Sequence, residues 1–294
     1  MRGDAQRAIE LLKRKTPEAL DQALDAIQNT VFAFSLKACG HPEDAEDTMQ
    51  DVLLKCVSHL ENFDNPRALN VWLYKVARNR CLMHRRQTRT VPLSHLSIDS
   101  LMPDENEMAS LMASPLMNPE HEASEHESAE LLHKTILLLP PPYREVLVLH
   151  DMEGLDYGEV ADVVGVREAT VRVRVHRARL FVRKELWKKL HPLPGQCSPA
   201  VEPVRSSKPQ SCRSLFARLS DYLDGVLQDD FCAEIQKHLI DCPPCVAFLA
   251  SLEETIARCR QFRPTCHSAL SLDIRRELMA KYKEAQSALA QAGV

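Results

Sequence analysis

Glycine is scarce in this 294-residue chain, with 8 residues or about 3% against a usual ~7%. Aromatic residues make up only 5%. The two shortages argue against a β-sandwich, a β-barrel or a glycine-looped nucleotide fold, which need tight turns and large strand side chains. No run approaches the ~18 apolar residues of a membrane span. The stretch from Met1 to Lys15 alternates charged and apolar side chains and lacks the apolar core of a signal peptide. The chain is therefore expected to work in the cytoplasm and away from membranes, where thiols stay reduced. A strong charge of one sign is also missing. Lys and Arg number 37 against 41 Asp and Glu, so any nucleic-acid surface has to be local.

What is present reads as helix. The 45% hydrophobic and 27% charged fractions suit soluble globular domains, and the length suggests two or three of them. From Asp4 to about Arg89, apolar residues recur at three and four residue spacing. From Asp99 to Ser128 there are eight acidic residues, no Lys or Arg, and prolines at 103, 115 and 119, the composition of a solvated linker. A second helical block runs from about Ala129 to Leu190. A Pro, Ser and Gly-rich stretch, His191 to Ser211, separates it from a third block, Cys212 to Phe262, and Leu270 to Ala290 has the composition of one amphipathic helix. The expected class is all-α. The expected domains are 1–95, 129–190 and 212–262, with linkers at 96–128 and 191–211 and a helical tail at 263–294.

The segment Tyr157 to Arg179, YGEVADVVGVREATVRVRVHRAR, has the spacing of a helix-turn-helix. Val160, Ala161 and Val164 make the inner stripe of the first helix, and Gly165 supplies the left-handed residue that ends it. Val171, Val175, Ala178 and Val182 make the inner stripe of the second. At 100° per residue this leaves Arg172, Val173, His176 and Arg177 pointing outward, with Arg174 and Arg179 on the flanks and Thr170 at the helix start. From Arg167 to Lys189 nine basic residues face two acidic ones. These residues suit a helix lying in a major groove, where Arg reads guanine edges or holds phosphates.

The first block carries two faces of opposite charge. Pro42 to Asp64 contains seven acidic residues and one basic; Pro66 to Arg89 contains seven basic and none acidic. This suggests a protein partner on one side and nucleic acid on the other. The basic segment PRALNVWLYKVARNRCLMHRR interleaves Trp72 and Tyr74 with Arg78, Asn79, Arg85 and Arg86, a pattern suited to stacking unpaired bases. Leu69, Leu73 and Val76 are core by spacing.

Ten cysteines in a reducing compartment point to metal or redox chemistry. In HLIDCPPC, His238 and Cys242 are four apart and share a helix face, and Cys245 closes on the same ion. Cys212 supplies the fourth ligand of a closed Cys3His zinc site, which is structural because no coordination position stays open. Cys232 competes with it, but its offset of six residues turns it about 240° from His238 on one helix. Cys197, Cys259 and Cys266 have no assigned role.

Three stretches together resemble the extracytoplasmic function sigma factors of bacterial RNA polymerase. They are EDAEDTMQDVLLK at Glu43 to Lys55, WLYKVARNRCLMHRR at Trp72 to Arg86, and LPPPYREVLVLHDMEGLDYGEVADVVGVREATVRVRVHRAR at Leu139 to Arg179. The resemblance implies a region-2 domain that binds core RNA polymerase and the −10 promoter element, and a region-4 domain that reads the −35 element. It implies that Asp44, Asp47, Gln50 and Asp51 engage the polymerase clamp, and that Asn79 with the Leu60 to Asn65 loop holds a flipped base. The third block, with LSDYLDGVL at Leu219 to Leu227 ahead of the cluster, looks like the zinc-binding anti-sigma domain. The chain's own C-terminal domain is then its intramolecular partner, joined by about 20 residues that reach back on a flexible-chain estimate.

Two other functions fit parts of the chain. A helix-turn-helix regulator with a zinc dimerisation or sensor module explains the second and third blocks and leaves the first without a role. A zinc hydrolase needs an open coordination site and a nearby general base, and the spacing offers neither. No enzymatic activity is expected.

Overall fold

Proline and a few polar caps set the helix boundaries. The computed structural model describes residues 2–14, 16–57, 59, 63, 65–88, 95–104, 107–108, 111–112, 125–190, 212 and 215–263, with 273, 276, 280 and 284. Every regular element among them is helical, as the glycine and aromatic shortages imply. The chain divides into two compact units, one holding residues 1–92, 148–168 and 263–294 and the other 93–147 and 169–262. This division cuts across the sequence blocks.

The first unit is built on four helices: α1 (Arg2–Leu12), α2 (Pro17–Cys39), α3 (Pro42–Val57) and α4 (Pro66–Thr88). Thr16 caps α2 by accepting the Ala19 N–H at 3.2 Å, and Pro17 follows in the first turn, where its missing N–H costs nothing. Gly40, at φ 91°, closes the far end by donating to the Leu36 carbonyl. Small residues at the contacts, Ala8, Ala23, Ala45 and Ala77, let the helices approach closely around Phe34, Val52, Leu53, Leu69 and Leu73. Leu69 and Leu73 are core as expected, whereas Val76 is only half-buried. Cys39 and Cys81 form a disulfide, their Cα atoms 5.6 Å apart, which corrects the expectation of uniformly reduced thiols. Packing of α2 on α4 brings the two together across 42 residues of sequence.

To this bundle is added a π-helical turn, Val148–Met152, and α8 (Tyr157–Val164). Asp156 and Glu159 form a capping box, each side chain accepting the other's backbone N–H at 2.8 Å. Gly165, at φ 71°, ends α8 as its sequence position predicts. The buried stripe is Val160, Val163 and Val164, with Ala161 half-exposed.

The second unit contains α5 (Ile98–Leu101), α6 (Glu125–Leu137), α7 (Pro141–Leu147), α9 (Glu168–Leu190), α10 (Leu219–Leu223), α11 (Asp229–Asp241) and α12 (Pro243–Gln261). Phe216, Leu219, Ile235, Phe248, Leu252 and Ile256 share one core with Leu180 and Trp187 of α9. Leu101 and Leu111 join it, so the stretch expected to be a solvated linker is anchored by its apolar residues. The described part of that stretch also places Glu107 in an ion pair with Arg183. Phe248 is fully buried against Phe216, ring centroids 4.5 Å apart. Phe248→Ala is expected to cost about 3–5 kcal/mol. Calorimetry should show a lowered melting transition for the second unit and an unchanged one for the first.

Candidate metal centre and nucleic-acid interface

The C-terminal block brings four ligand atoms together. His238 lies in the last turn of α11, Cys242 sits at the joint where α11 ends and α12 begins, and Cys245 falls in the first turn of α12. The intervening Pro243 and Pro244 start α12 without wasting a backbone donor, and the Cys245 N–H donates to the Cys242 carbonyl at 3.0 Å. Cys212 reaches the same point from upstream. The ligand atoms of Cys212, His238, Cys242 and Cys245 all lie within 4.8 Å of one another. His238 Nε2 is 3.7 Å from Cys212 Sγ and 3.4 Å from Cys245 Sγ, and the two sulfurs are 4.0 Å apart. A tetrahedral zinc with ligands at ~2.0–2.3 Å needs edges of about 3.5–3.8 Å, so the donor set fits that ion. Burial, then the neighbouring thiols Cys242 and Cys212, push the Cys245 thiol up, a penalty that a cation among thiolates removes. Cys232 stays outside the cluster, its Sγ 3.9 Å from the Leu227 carbonyl oxygen. Cys259 is a buried core residue of α12, and Cys197 and Cys266 lie outside the described residues.

Helix α9 carries the expected reading residues. Val171, Val175, Ala178 and Val182 are all fully buried, so the register deduced from the valine spacing is correct. Val173 is 48% exposed, and Thr170, Arg172, Arg174 and Arg177 are half-buried. His176 and Arg179 require a correction, because neither points into solvent. Arg179 is 1% exposed and makes a bidentate pair with Asp224, at 2.8 and 3.0 Å. His176 Nδ1 is 2.9 Å from the Ser220 hydroxyl, and Arg172 is 3.7 Å from Asp221. One turn beyond Arg179, Arg183 is also buried, paired with Glu107, donating to Ser251 Oγ at 3.2 Å and lying 4.1 Å over the Phe248 ring. A short stretch, Ser220 to Asp224, thus covers one side of α9. The signal available in the sequence was the pair of aspartates in LSDYLDG. Arg183 gave none, since the basic run has no feature that separates a buried cation from a solvated one.

In the first unit, α3 presents Asp44, Asp47, Gln50 and Asp51 on its accessible side, with Asp51 paired to Arg80. Trp72 is half-buried beside His59 and Phe63, ring centroids 5.5 and 5.6 Å away. Asn79 is exposed, and Arg78 donates to its Oδ1 at 3.4 Å. Tyr74 requires the second correction. It is 2% exposed, packs on Phe34 and donates its hydroxyl to Glu153 at 2.9 Å, which leaves no face for a base. Burial, reinforced by Glu153, pushes that hydroxyl well above its ordinary value, so it stays protonated and donating. The side chains of Arg85 and Arg86, and most of the Leu60 to Asn65 loop, lie outside the described residues.

Two outcomes are expected from this geometry. Cys242→Ser should abolish zinc uptake while Cys232→Ser retains one zinc per chain, as metal stoichiometry on the purified variants will read. The second concerns His176, whose ordinary value near 6.5 is pushed down to about 4 by burial, then by Arg179 and Arg177, against a main-chain hydrogen bond at Phe216. The folded state holds the neutral ring, so the unfolded chain binds the extra proton as pH falls and stability drops between about 6.5 and 4. Thermal melting across that range should show a steeper loss in the wild type than in His176→Gln.

Residues 23–91 match the Sigma-70 region 2 family, residues 129–182 the Sigma-70 region 4 family, and residues 212–245 a zinc-finger family. The chain is similar to the ECF RNA polymerase sigma factor SigW of Bacillus subtilis, 25% identical over 180 residues that cover 61% of this chain and 95% of that protein. It is similar to the RNA polymerase sigma-H factor of Pseudomonas aeruginosa, 28% identical over 182 residues, 62% of this chain and 93% of the other. With the ECF RNA polymerase sigma-E factor of Escherichia coli K12 it shares 29% identity over 137 residues, 46% and 70% of the two chains. Sigma-70 region 2, Sigma-70 region 4 and a zinc-finger block follow one another in the order the motifs imply; the first two make this chain a homologue of extracytoplasmic function RNA polymerase sigma factors, and the third fits an anti-sigma-like domain on their C-terminal side.

Proposed function

We propose that this chain works in the cytoplasm as the promoter-recognition subunit of RNA polymerase and that its C-terminal domain restrains it in cis. In this reading Asp44, Asp47, Gln50 and Asp51 engage the core enzyme. Trp72, Arg78 and Asn79 handle the opened −10 strand, and α9 reads the −35 element through Thr170, Arg172, Val173, Arg174, His176, Arg177 and Arg179. Zinc held by Cys212, His238, Cys242 and Cys245 ties the start of the domain to α11 and α12. When bound, it supplies a structural crosslink whose thiolate ligands are open to oxidants and competing metals.

The observation that carries the cis restraint is the Arg179–Asp224 pair. A guanidinium placed to meet phosphate or guanine instead meets a carboxylate of the same fork geometry, with both side chains withdrawn from water at 1% and 6% exposure. Arg179 has one planar set of donors, so Asp224 and DNA exclude each other. Removing one partner of such a pair leaves a buried charge and costs about 3–5 kcal/mol, which is ample to undock the segment.

The test is transcription in vitro with core polymerase. Full-length protein, an Asp224→Ala variant and a chain ending after Leu190 are compared on one promoter. Both altered chains should give more product than the wild type, and oxidation of the wild type should raise its output as zinc leaves. If the shortened chain is silent under every condition, the domain activates instead, and self-restraint is wrong.

A further inference from the structure

A second restraint lies wholly within the first unit and uses none of the zinc-domain residues. Lys37 of α2 and Glu153, 116 residues later, form an ion pair at 2.6 Å with side chains 1% and 0% exposed. The Tyr74 hydroxyl of α4 donates to the other carboxylate oxygen of Glu153 at 2.9 Å. At the outer edge, Arg67 at the start of α4 pairs with Asp156, and its Nε lies 2.6 Å from Glu159 Oε1. Asp156 and Glu159 are the capping box of α8. Lys37, Arg67 and Tyr74 belong to the region 2 match, while Glu153, Asp156 and Glu159 belong to the region 4 match.

The contact is specific because each charge is answered. Lys37 buried alone would cost several kcal/mol, and Glu153 likewise. Glu153 is held from both sides, by a cation on α2 and a hydroxyl on α4, so its position on the bundle is fixed by two elements. The acidic start of α8 meets Arg67, and the helix dipole places positive partial charge there too, which leaves the two carboxylates to provide the attraction. On separation the ions regain hydration, which offsets part of the cost of opening.

Resting on the sigma-factor reading above, this contact cannot coexist with promoter engagement. The −10 and −35 elements are 25 base pairs apart by their names, about 85 Å of duplex at ~3.4 Å per pair. Region 2 on one and region 4 on the other cannot keep Glu153 against Lys37. We infer that Lys37, Tyr74 and Arg67 form a docking surface for the acidic segment Glu153 to Glu159, and that this surface holds region 2 against the first helix of the helix-turn-helix in a closed form. That form has to open before both elements are read.

The experiment uses the full chain with Glu153→Gln and, separately, Arg67→Ala. The exposed Arg67 keeps the test valid if the buried change disturbs folding. Hydrogen exchange should show amide protection over residues 148–164 falling by about tenfold or more in each folded variant, with α1 to α3 unchanged. Transcription with core polymerase should rise several-fold over wild type. Retained protection over 148–164 in Arg67→Ala and Glu153→Gln overturns the docking surface. Lost protection with no gain in output overturns its role as a restraint. Core-polymerase binding by the wild-type chain tests the underlying reading by itself. Failure there removes the sigma assignment and leaves the docking surface to be judged by exchange alone.

Discussion

Two guanidinium groups on α9, Arg179 and Arg183, are almost entirely withdrawn from water, and the second unit is organised around answering them. A buried cation without partners is not tolerated, so each draws in groups from distant sequence: Asp224 for one, Glu107 and Ser251 for the other. Phe248 adds its ring face to Arg183 while anchoring the core of the C-terminal block. From the acidic stretch after Asp99, Glu107 and Leu111 meet this arrangement. Helix α9 is therefore buried on more than its valine stripe, which is unusual for a helix whose basic residues outnumber its acidic ones.

In the proposed function that arrangement gives the basic face of α9 two alternative partners of the same chemistry. Carboxylates and phosphates both accept a bidentate fork from Arg, so on that reading the carboxylates beside α9 compete with DNA. In the proposed function the metal centre sets the strength of that competitor, because Cys212, His238, Cys242 and Cys245 join the segments that flank Ser220 to Asp224. The docking of Glu153 to Glu159 on region 2 adds an independent restraint of the same physical kind.

Much of this is legible in the sequence. Valines at 171 and 175 with Ala178 and Val182 give the register of α9, because a helix has one face per 100° step and apolar residues seek it. Gly165 marks the turn because only a residue without Cβ takes a left-handed backbone cheaply. The members of the Cys and His cluster were legible for a similar reason. His238 and Cys242 are local, one helical turn apart, and CPPC closes on itself. Cys212 over Cys232 followed from helical phase alone.

What failed to be legible was which polar side chains are buried and by what. Tyr74 stands two residues from Trp72 in a basic run, and nothing in that run says that its hydroxyl meets Glu153, 79 residues away. His176 lies on the outward face of its own helix and Arg179 on its flank, and their burial depends on a segment more than 40 residues downstream. Cys39 and Cys81 look like any reduced pair until α2 and α4 pack. The sequence by itself determined the all-α class, the phase of α9, the glycine that ends α8 and the local trio His238, Cys242 and Cys245, since each rests on interactions within a few residues or on a repeating phase. Only the tertiary structure decided which cations are paired, which aromatic is core, and that the basic face is covered, since these depend on long-range packing in which a charge is kept out of water only where its particular partner arrives.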